Sequence, residues 1–281
     1  MSLAIGYSLA LLVGLSLGIF GAGGSILTVP IMVYVVGIEP VEATAYSLLI
    51  VGLVSIFGAL SYIRRREVHI RTAIVFALPS VLAVYLTRRF LVQAIPTEIA
   101  TVGSVVIGRD LIVMLLFGVL MAWAAVGMIR KKGPKGEGPE TTGKPGSGAI
   151  ANHGPGGLTA TWPLVAAEGI GVGLLTGLVG AGGGFLIVPV LVLAAGMPMR
   201  QAVGTSLIII SLKSVVGFLG DLGAGTTIEW QFLLIFAGLA IVGVIGGSTL
   251  SSRVSADNVK PWFGRFVLLA GIVIIGTELL R

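Results

Sequence analysis

The chain has 281 residues, of which 56% are hydrophobic and only 11% are charged, with a net charge of +6. Soluble domains carry roughly 25% charged residues, so this composition excludes an ordinary soluble fold and indicates a polytopic membrane protein. The lack of cysteine excludes disulfide bonds, thiolate metal sites and cysteine nucleophiles. We attribute the basic excess to loops on the cytoplasmic face rather than to nucleic-acid binding.

Ten apolar segments follow one another along the chain, and each is predicted to form a helix. The segments run near 3–20, 25–37, 42–63, 70–88, 109–129, 160–179, 185–197, 201–220, 229–251 and 262–280. Because no basic stretch precedes the first segment, we expect a retained helix there rather than a cleaved signal. The predicted fold class is therefore an all-α polytopic membrane protein.

A stretch rich in Gly, Pro, Lys and Thr separates the fifth segment from the sixth and indicates a flexible linker. The predicted organisation is a first repeat at 1–130, a linker at 131–159 and a second repeat at 160–281. An odd number of spans in each repeat would make the second repeat enter the membrane from the opposite side, so the repeats are predicted to be inverted. If the short second and seventh segments are re-entrant instead, each repeat has four spans and the copies are parallel.

The positions of the basic residues predict the orientation of the chain. With the N-terminus outside, most Lys and Arg residues lie at cytoplasmic ends of the segments, as the positive-inside rule requires. The exceptions at the outer ends are Arg88, Arg89, Arg109 and Arg281. We therefore expect a multi-pass protein of the cell membrane with a cytoplasmic linker.

A glycine-rich motif occurs once in each half, at a constant spacing of 159 residues. The first glycine motif is Gly21-Ala22-Gly23-Gly24-Ser25 and the second is Gly180-Ala181-Gly182-Gly183-Gly184. Only 13 residues follow in 25–37, roughly 19 Å of helix, whereas the hydrocarbon layer is about 30 Å thick. Both motifs are therefore expected to form non-helical turns inside the membrane, facing each other near its middle. A doubled unit of this kind is typical of transporters, whose site lies where the halves meet.

A non-helical turn followed by a helix N-terminus can bind an anion without any formal positive charge. The first amide N–H groups of the helix are unpaired, and the helix dipole adds partial positive charge there. Glycine removes the side chains that would hold a ligand away from those amides. The sequence therefore predicts an anion site at the two motifs. The alternative is that the glycines only allow helices to cross closely.

Few other polar residues lie within the apolar segments. Ser47 corresponds to Ser206 in the repeat, with Thr205 beside it, and these hydroxyls are candidates for oxyanion contact or for helix capping. Lys213 is a basic residue well inside a segment, and Glu168 is an embedded acid; intramembrane charges mark functional sites. We predict substrate binding by Lys213 and proton coupling by Glu168. Alternatively, the two side chains pair with each other, or Lys213 extends to the interface.

Around the glycine motifs the chain resembles the TauE/SafE family of sulfite and organosulfonate exporters. The matching residues are the two motifs, Val29-Pro30, Val188-Pro189 and Ala202-Val203-Gly204-Thr205-Ser206-Leu207. The resemblance implies export or uptake of small sulfur-containing anions, such as sulfite, sulfoacetate, taurine-derived sulfonates or thiosulfate. Tyr46 stands where the second copy has Thr205, and Ser25 replaces the last motif glycine, so the two motifs need not contribute equally.

Three classes of function compete. The first is a secondary transporter that works by alternating access, driven by a proton, a sodium ion or the gradient of the substrate itself. The second is an anion channel that uses the same helix ends as a filter. The third, an intramembrane enzyme, is disfavoured because His69 and His153 both lie in predicted loops.

We expect no cofactor, no metal and no nucleic-acid partner. No Walker lysine follows either glycine motif, so nucleotide hydrolysis by that route is excluded. The expected partners are a small anion, the lipid bilayer and a coupling ion, and the sequence leaves homo-oligomerisation open.

Overall fold

The computed structural model describes residues 2–96, 98–102, 105–130, 158–193, 196–224, 228–250 and 256–279. This part of the chain is predominantly helical, and five of its helices are long and apolar enough to cross a membrane. These are Pro40–Arg64, Ile70–Ala94, Arg109–Val126, Arg200–Gly223 and Trp230–Leu250. The protein is an all-α polytopic membrane protein, which confirms the predicted fold class.

The first half contains helices of three kinds. They are α1 (Ser2–Phe20), a 3₁₀ helix (Gly21–Leu27), α2 (Thr28–Pro30), a π-helix (Ile31–Val36), α3 (Pro40–Arg64), α4 (Ile70–Leu86), a second π-helix (Thr87–Leu91), α5 (Val92–Ala94) and α6 (Arg109–Arg130). Between α5 and α6, strands β1 (Glu98–Val102) and β2 (Val105–Gly108) form an antiparallel hairpin. This hairpin was not predicted, although its Val, Ile and Thr residues favour extended backbone.

The second half has five described helices. They are α7 (Leu158–Val179), α8 (Gly184–Leu193), α9 (Met199–Gly223), α10 (Trp230–Leu250) and α11 (Ala256–Leu279). The fourth predicted segment is longer than expected, because its apolar helix continues past Arg88 to Ala94. Residues 131–157 of the predicted linker lie outside the described residues, and the last two linker positions begin α7.

The helices of the two halves pack in corresponding pairs. Helix α1 lies against α10 as α7 lies against α4, while α3 packs on α9 and α6 on α11. A Cβ on Gly58 of α3 would lie 3.5 Å from Leu207 of α9. A Cβ on Gly217 of α9 would lie 3.3 Å from Leu48 of α3. Gly217 and Leu48 are the repeat equivalents, 159 residues away, of Gly58 and Leu207, so the two contacts are the same contact seen from each half. The later residue of α3 meets the earlier residue of α9, which shows that the two helices run antiparallel.

Glycines set the distance between the paired helices. A Cβ on Gly173 of α7 would lie 2.6 Å from the carbonyl oxygen of Ser80 in α4. Its counterpart in α1, Gly14, would overlap the carbonyl group of Ala240 in α10. Helices in membranes associate through such close contacts between small residues. The same spacing in both halves therefore produces the same kind of helix crossing.

Leucine at Gly173 or at Gly14 should lower the melting temperature of the detergent-solubilised protein by several degrees. Each substitution forces a side chain into the backbone of the partner helix, and such overpacking is destabilising. Gly171→Leu is the matched control, because a Cβ on Gly171 meets nothing within 4 Å on the same helix. Equal melting temperatures for Gly173→Leu and Gly171→Leu would contradict the close crossing of α7 and α4.

Candidate functional site

The second glycine motif forms a buried break between α7 and α8. The residues from Gly180 to Gly183 lie outside any helix, and we call them the glycine turn. The φ angle is +70° at Gly180, +63° at Gly182 and +66° at Gly183. Only glycine adopts such angles without strain. All four residues of the turn are buried, as is the first turn of α8. The sequence predicted a non-helical segment here, and the structure has one.

The glycine turn leaves backbone donors free at the start of α8. The amides of Leu186 and Ile187 donate to the carbonyl of Gly183 at 3.0 and 3.1 Å. Within the part of the chain that the structure describes, the amides of residues 181–185 donate to no backbone acceptor. Such free amides, together with the helix dipole, favour negative charge.

The first glycine motif is not a non-helical turn, so this expectation was wrong for the first half. Gly21, Ala22, Gly23, Gly24 and Ser25 all lie in the 3₁₀ helix that joins α1 to α2. In a 3₁₀ helix each amide donates to the carbonyl three residues earlier, so hydrogen bonding continues from α1 and consumes donors that a break would leave free. The 3₁₀ helix nevertheless packs against α8 and α9. Both motifs therefore lie at the interface between the halves.

Neighbouring helices fill the space that the missing glycine side chains leave. The groups that a Cβ would meet are Thr44 for Gly180, Val51 for Gly182, and Thr176 and Lys213 for Gly183. The glycines therefore serve close packing, which was the alternative interpretation of the motif. The hydrogen-bond donors beside this turn are the backbone amides and the amino group of Lys213.

Lys213 lies beside the glycine turn and is fully buried on α9. Its Nζ donates a hydrogen bond of 2.7 Å to Oγ1 of Thr176 on α7. The same nitrogen lies 2.8 Å from the position of a Cβ on Gly183. No carboxylate among the described residues forms an ion pair with Lys213. Burying a charge without a countercharge is unfavourable, above all inside a membrane. A protonated Lys213 therefore has no countercharge at this turn among the described residues.

Glu168 does not pair with Lys213, so the pairing alternative is wrong. Glu168 lies on α7 and lines an otherwise apolar hollow of about 550 Å³, which residues of α6 and α8 such as Trp123 and Pro189 complete. Its Oε2 atom is buried and has no hydrogen-bond partner in the described structure. Eight residues separate it from Thr176, roughly 12 Å along α7. The predicted coupling residue thus faces a different space from the glycine turn.

The three predicted hydroxyl residues are all buried, but their contacts differ. Ser206 donates to the carbonyl of Val203 at 2.8 Å, one helical turn earlier. Thr205 accepts a hydrogen bond of 3.0 Å from the amide of His69. Ser47 has no hydrogen-bond partner for its Oγ among the described residues. The Ser206 hydroxyl therefore bonds within its own helix, the Thr205 hydroxyl joins α9 to the segment before α4, and the Ser47 hydroxyl is still available as a donor in the described structure.

A buried ion pair near the turn was missed from the sequence. Arg88 was assigned to an outer end, yet its side chain is 0% exposed and its Nε lies 3.0 Å from Oδ2 of Asp221. Nη2 of Arg88 donates to Oγ1 of Thr44 at 2.9 Å, and Thr44 contacts Gly180. We call Arg88, Asp221 and Thr44 the Arg88 cluster. The apolar run that continues past Arg88 was a signal of its depth.

Membrane-crossing helices around a buried, charge-flanked break define a membrane transport protein as the class to which this fold and site belong. The match with a known family then names that class more closely. The chain belongs to the sulfite exporter TauE/SafE family, whose family model matches residues 7–274. The resemblance drawn from the glycine motifs is thereby confirmed.

Curated relatives are described as transporters as well. The chain is 29% identical over 269 residues to a probable membrane transporter protein of Xylella fastidiosa (strain 9a5c), covering 94% of this chain and 91% of that protein. It is 25% identical over 295 residues to probable membrane transporter protein YunE of Bacillus subtilis (strain 168), covering 100% and 98%. No solved structure gives a significant match.

Proposed function

We propose that this protein is a secondary transporter that moves small sulfur-containing oxyanions across the cell membrane by alternating access. Its family is that of sulfite exporter TauE/SafE, and its relatives bear the name of probable membrane transporters. The observation that carries the proposal is Lys213, a buried ammonium group beside free amides, without a carboxylate partner in the described structure. A bound anion supplies the missing negative charge.

The chemistry of the glycine turn suits an oxyanion of the size of sulfite or thiosulfate. Backbone amides at a helix N-terminus donate to such oxygens, and hydrogen bonds from an ammonium group are stronger than those between neutral groups. Thr176 accepts from Lys213 and thereby holds the ammonium group at the turn. We assign substrate contact to Gly180, Ala181, Gly182, Gly183, Gly184 and Lys213. We propose that Ser47, whose hydroxyl has no partner among the described residues, faces the anion from α3, and that the first glycine motif, Thr205 and Ser206 support the wall around the site.

The paired helix packing supports inverted repeats that rock against each other. Helices α3 and α9 are antiparallel, and the contact of Gly58 with Leu207 recurs as that of Gly217 with Leu48. A two-fold axis in the membrane plane produces this exchange, and transporters with inverted repeats carry their site at the interface of the halves. The glycine turn lies at that interface.

A gradient drives net movement in this proposal, and we infer that it is a gradient of protons. Glu168 in α7 and Asp221 in α9 both place carboxyl groups within the helical bundle. Intramembrane carboxyl groups form the proton relays of many transporters. Either group provides a carrier for one proton.

Cysteine labelling tests the proposed orientation. Arg200 at the start of α9 lies 3.8 Å from Glu67, just after α3, so both lie at one face, which we propose is cytoplasmic. Arg66→Cys and Arg200→Cys should react with an impermeant maleimide only after permeabilisation. Glu39→Cys and Ala224→Cys should react in intact cells, and the chain has no native cysteine to interfere. Labelling of positions 39 and 66 from the same side would contradict the orientation.

Transport by purified protein in liposomes tests the function itself. We expect saturable uptake and counterflow of radiolabelled sulfite or thiosulfate, with competition by sulfoacetate and other sulfonates. Large unitary currents in planar bilayers would instead identify an anion channel. If no sulfur oxyanion crosses the membrane faster than it does in protein-free liposomes, the proposed function is wrong.

A further inference from the structure

The Arg88 cluster lies beside Gly180, at the first residue of the glycine turn, whereas Lys213 lies beside Gly183, at its last residue. Arg88 and Asp221 are 0% and 1% exposed, and Nε and Oδ2 are 3.0 Å apart. Nη2 of Arg88 donates to Thr44 at 2.9 Å. Thr44 in turn fills the space beside Gly180, where a Cβ would lie 2.6 Å from its Cα. The cluster thus connects α3, the π-helix after α4 and α9 to the start of the turn.

The guanidinium group of Arg88 is not fully used in this arrangement. Its Nη1 atom is buried and has no hydrogen-bond partner among the described residues. The neighbouring hydroxyl of Thr87 and the Oδ1 atom of Asp221 are buried without a partner in the same part of the structure. Buried polar groups are normally hydrogen-bonded, and a guanidinium fork binds oxyanions through two parallel bonds. Unused donor capacity therefore points to a ligand at this position.

Two basic side chains, Arg88 and Lys213, flank one short turn, and the single carboxylate of Asp221 cannot neutralise both. Gly180, beside the Arg88 cluster, and Gly183, beside Lys213, are three residues apart, at most roughly 11 Å. Lys213, Arg88 and Asp221 together carry one net positive charge when all are ionised. A monovalent anion neutralises this charge. A divalent anion such as thiosulfate leaves one negative charge in excess, unless Asp221 takes up a proton.

We propose that Arg88 is a second anion-binding residue of this site and that Asp221 is its exchangeable counter-ion. The proposal rests on the proposed function and adds to it a binding residue and the choice of Asp221 as the proton carrier. The anion takes the place of the Asp221 carboxylate on the guanidinium group. The freed carboxylate takes up one proton from the solution on the side from which the anion enters, and this proton crosses the membrane with the anion. When the anion leaves, Asp221 releases that proton to water and pairs with Arg88 again.

The other charged and titratable groups around Asp221 have other partners or lie further away, so Asp221 is the counter-ion of Arg88. The charged and titratable side chains on the elements packed against this end of α9 are Arg88 and Arg89 from the π-helix after α4, Tyr85 from α4, and Glu42 and Tyr46 from α3, with Lys213 on α9 itself. Arg89 donates to the carbonyl of Gly223, and the hydroxyl of Tyr46 accepts from the amide of Glu229. Lys213 is eight residues away, roughly 12 Å along α9. Helix α8 and the first glycine motif contain no titratable side chain.

Asp221→Asn separates proton coupling from anion movement. In liposomes that contain a pH-sensitive dye, the wild type should acidify the lumen as thiosulfate enters, and an inward proton gradient should accelerate uptake. The variant should lose both responses at least tenfold while it retains thiosulfate exchange at equal pH. Arg88→Gln should raise the KM for exchange at least tenfold. Glu67→Gln removes the carboxylate of an ion pair in which Arg200 is 82% exposed, and it should behave as wild type.

Several outcomes would overturn the inference. Full proton coupling in Asp221→Asn, or loss of coupling in Glu168→Gln alone, excludes Asp221 as the proton carrier. If Asp221→Asn does not fold, the double variant with Arg88→Gln removes both charges and undergoes the same assay, where retained acidification contradicts the proposal. Wild-type transport of thiosulfate without protons refutes this inference and the proton coupling of the proposed function, but not the transport of sulfur oxyanions. Failure of the wild type to transport sulfite and thiosulfate refutes the proposed function.

Discussion

Lys213→Met is expected to weaken the binding of sulfite or thiosulfate by tenfold to a hundredfold without unfolding the protein. A hydrogen bond to a charged group contributes about 1.5–3 kcal/mol, which corresponds to that range of Kd. Methionine is unbranched and apolar, so it fills the space of the lysine side chain without its charge. Because the buried ammonium group has no countercharge among the described residues, its removal should leave the melting temperature of the ligand-free protein unchanged or raise it.

Equilibrium binding and thermal shift in detergent provide the two readouts. A ligand that binds the native state raises the melting temperature, and this shift should disappear in Lys213→Met. Arg200→Met is the matched control, because it removes a positive charge that is 82% exposed. A variant that melts well below the wild type yet keeps its affinity for the anion would show that Lys213 serves only its hydrogen bond with Thr176 between α9 and α7.

Gly183→Ala is expected to reduce anion uptake at least tenfold, whereas Gly196→Ala is expected to retain most of it. The two glycines have nearly the same φ, +66° and +63°. Alanine therefore introduces similar strain at both, roughly 1–2 kcal/mol. At Gly183 the new Cβ also overlaps Thr176 and lies 2.8 Å from Nζ of Lys213, so it displaces the ammonium group. At Gly196 the Cβ meets nothing within 4 Å.

Comparison of Gly183→Ala with Gly196→Ala separates two effects, which are displacement of the Lys213 side chain and strain in the backbone. Uptake of labelled thiosulfate by liposomes, normalised to folded protein, measures the first effect, and the melting temperature measures the second. Equal uptake by Gly183→Ala and Gly196→Ala would mean that the placement of the ammonium group at the turn does not matter for transport. Thr176→Val should give an intermediate loss, because it removes the hydroxyl that accepts from Lys213.

The helices were predictable because the membrane imposes a simple rule on composition. A span needs about 20 apolar residues, so runs bounded by charges mark α3, α9 and α10 to within a few residues. The second glycine motif was predictable as well, since a buried break at positive φ requires glycine. The β1–β2 hairpin was not, because a short stretch of Val, Ile and Thr between helices has no periodicity that distinguishes it from a loop.

The site was less predictable, because its charges pair across long sequence separations. Arg88 and Arg89 interrupt an apolar run and so resemble surface residues, although the run continues beyond them, and the contact with Asp221 on α9 shows that Arg88 is buried. The first glycine motif has the same first four residues as the second, yet it forms a 3₁₀ helix. Hydrogen bonding that continues from α1 decides this difference, and it leaves no trace in the motif itself.

The charged and polar side chains of the site are not repeated between the two halves. Positions 159 residues away from Lys213, Thr176, Arg88 and Asp221 hold Val54, Leu17, Gly247 and Tyr62, respectively. The two halves thus share the pairing of their helices but not the charged side chains of the site. One half supplies Arg88 and the other supplies Lys213 and Asp221, so the anion proposed here is held by both halves at once, as alternating access requires.

Location of a bound anion in a crystal tests the central claim most directly. Selenite, the selenium analogue of sulfite, scatters anomalously and marks its own position in a difference map. We expect the anomalous peak of selenite within about 4 Å of Nζ of Lys213 and of the amides of residues 181–185, as hydrogen-bond geometry requires. A peak at the hollow lined by Glu168 or at the protein surface, with none beside Lys213, would contradict it.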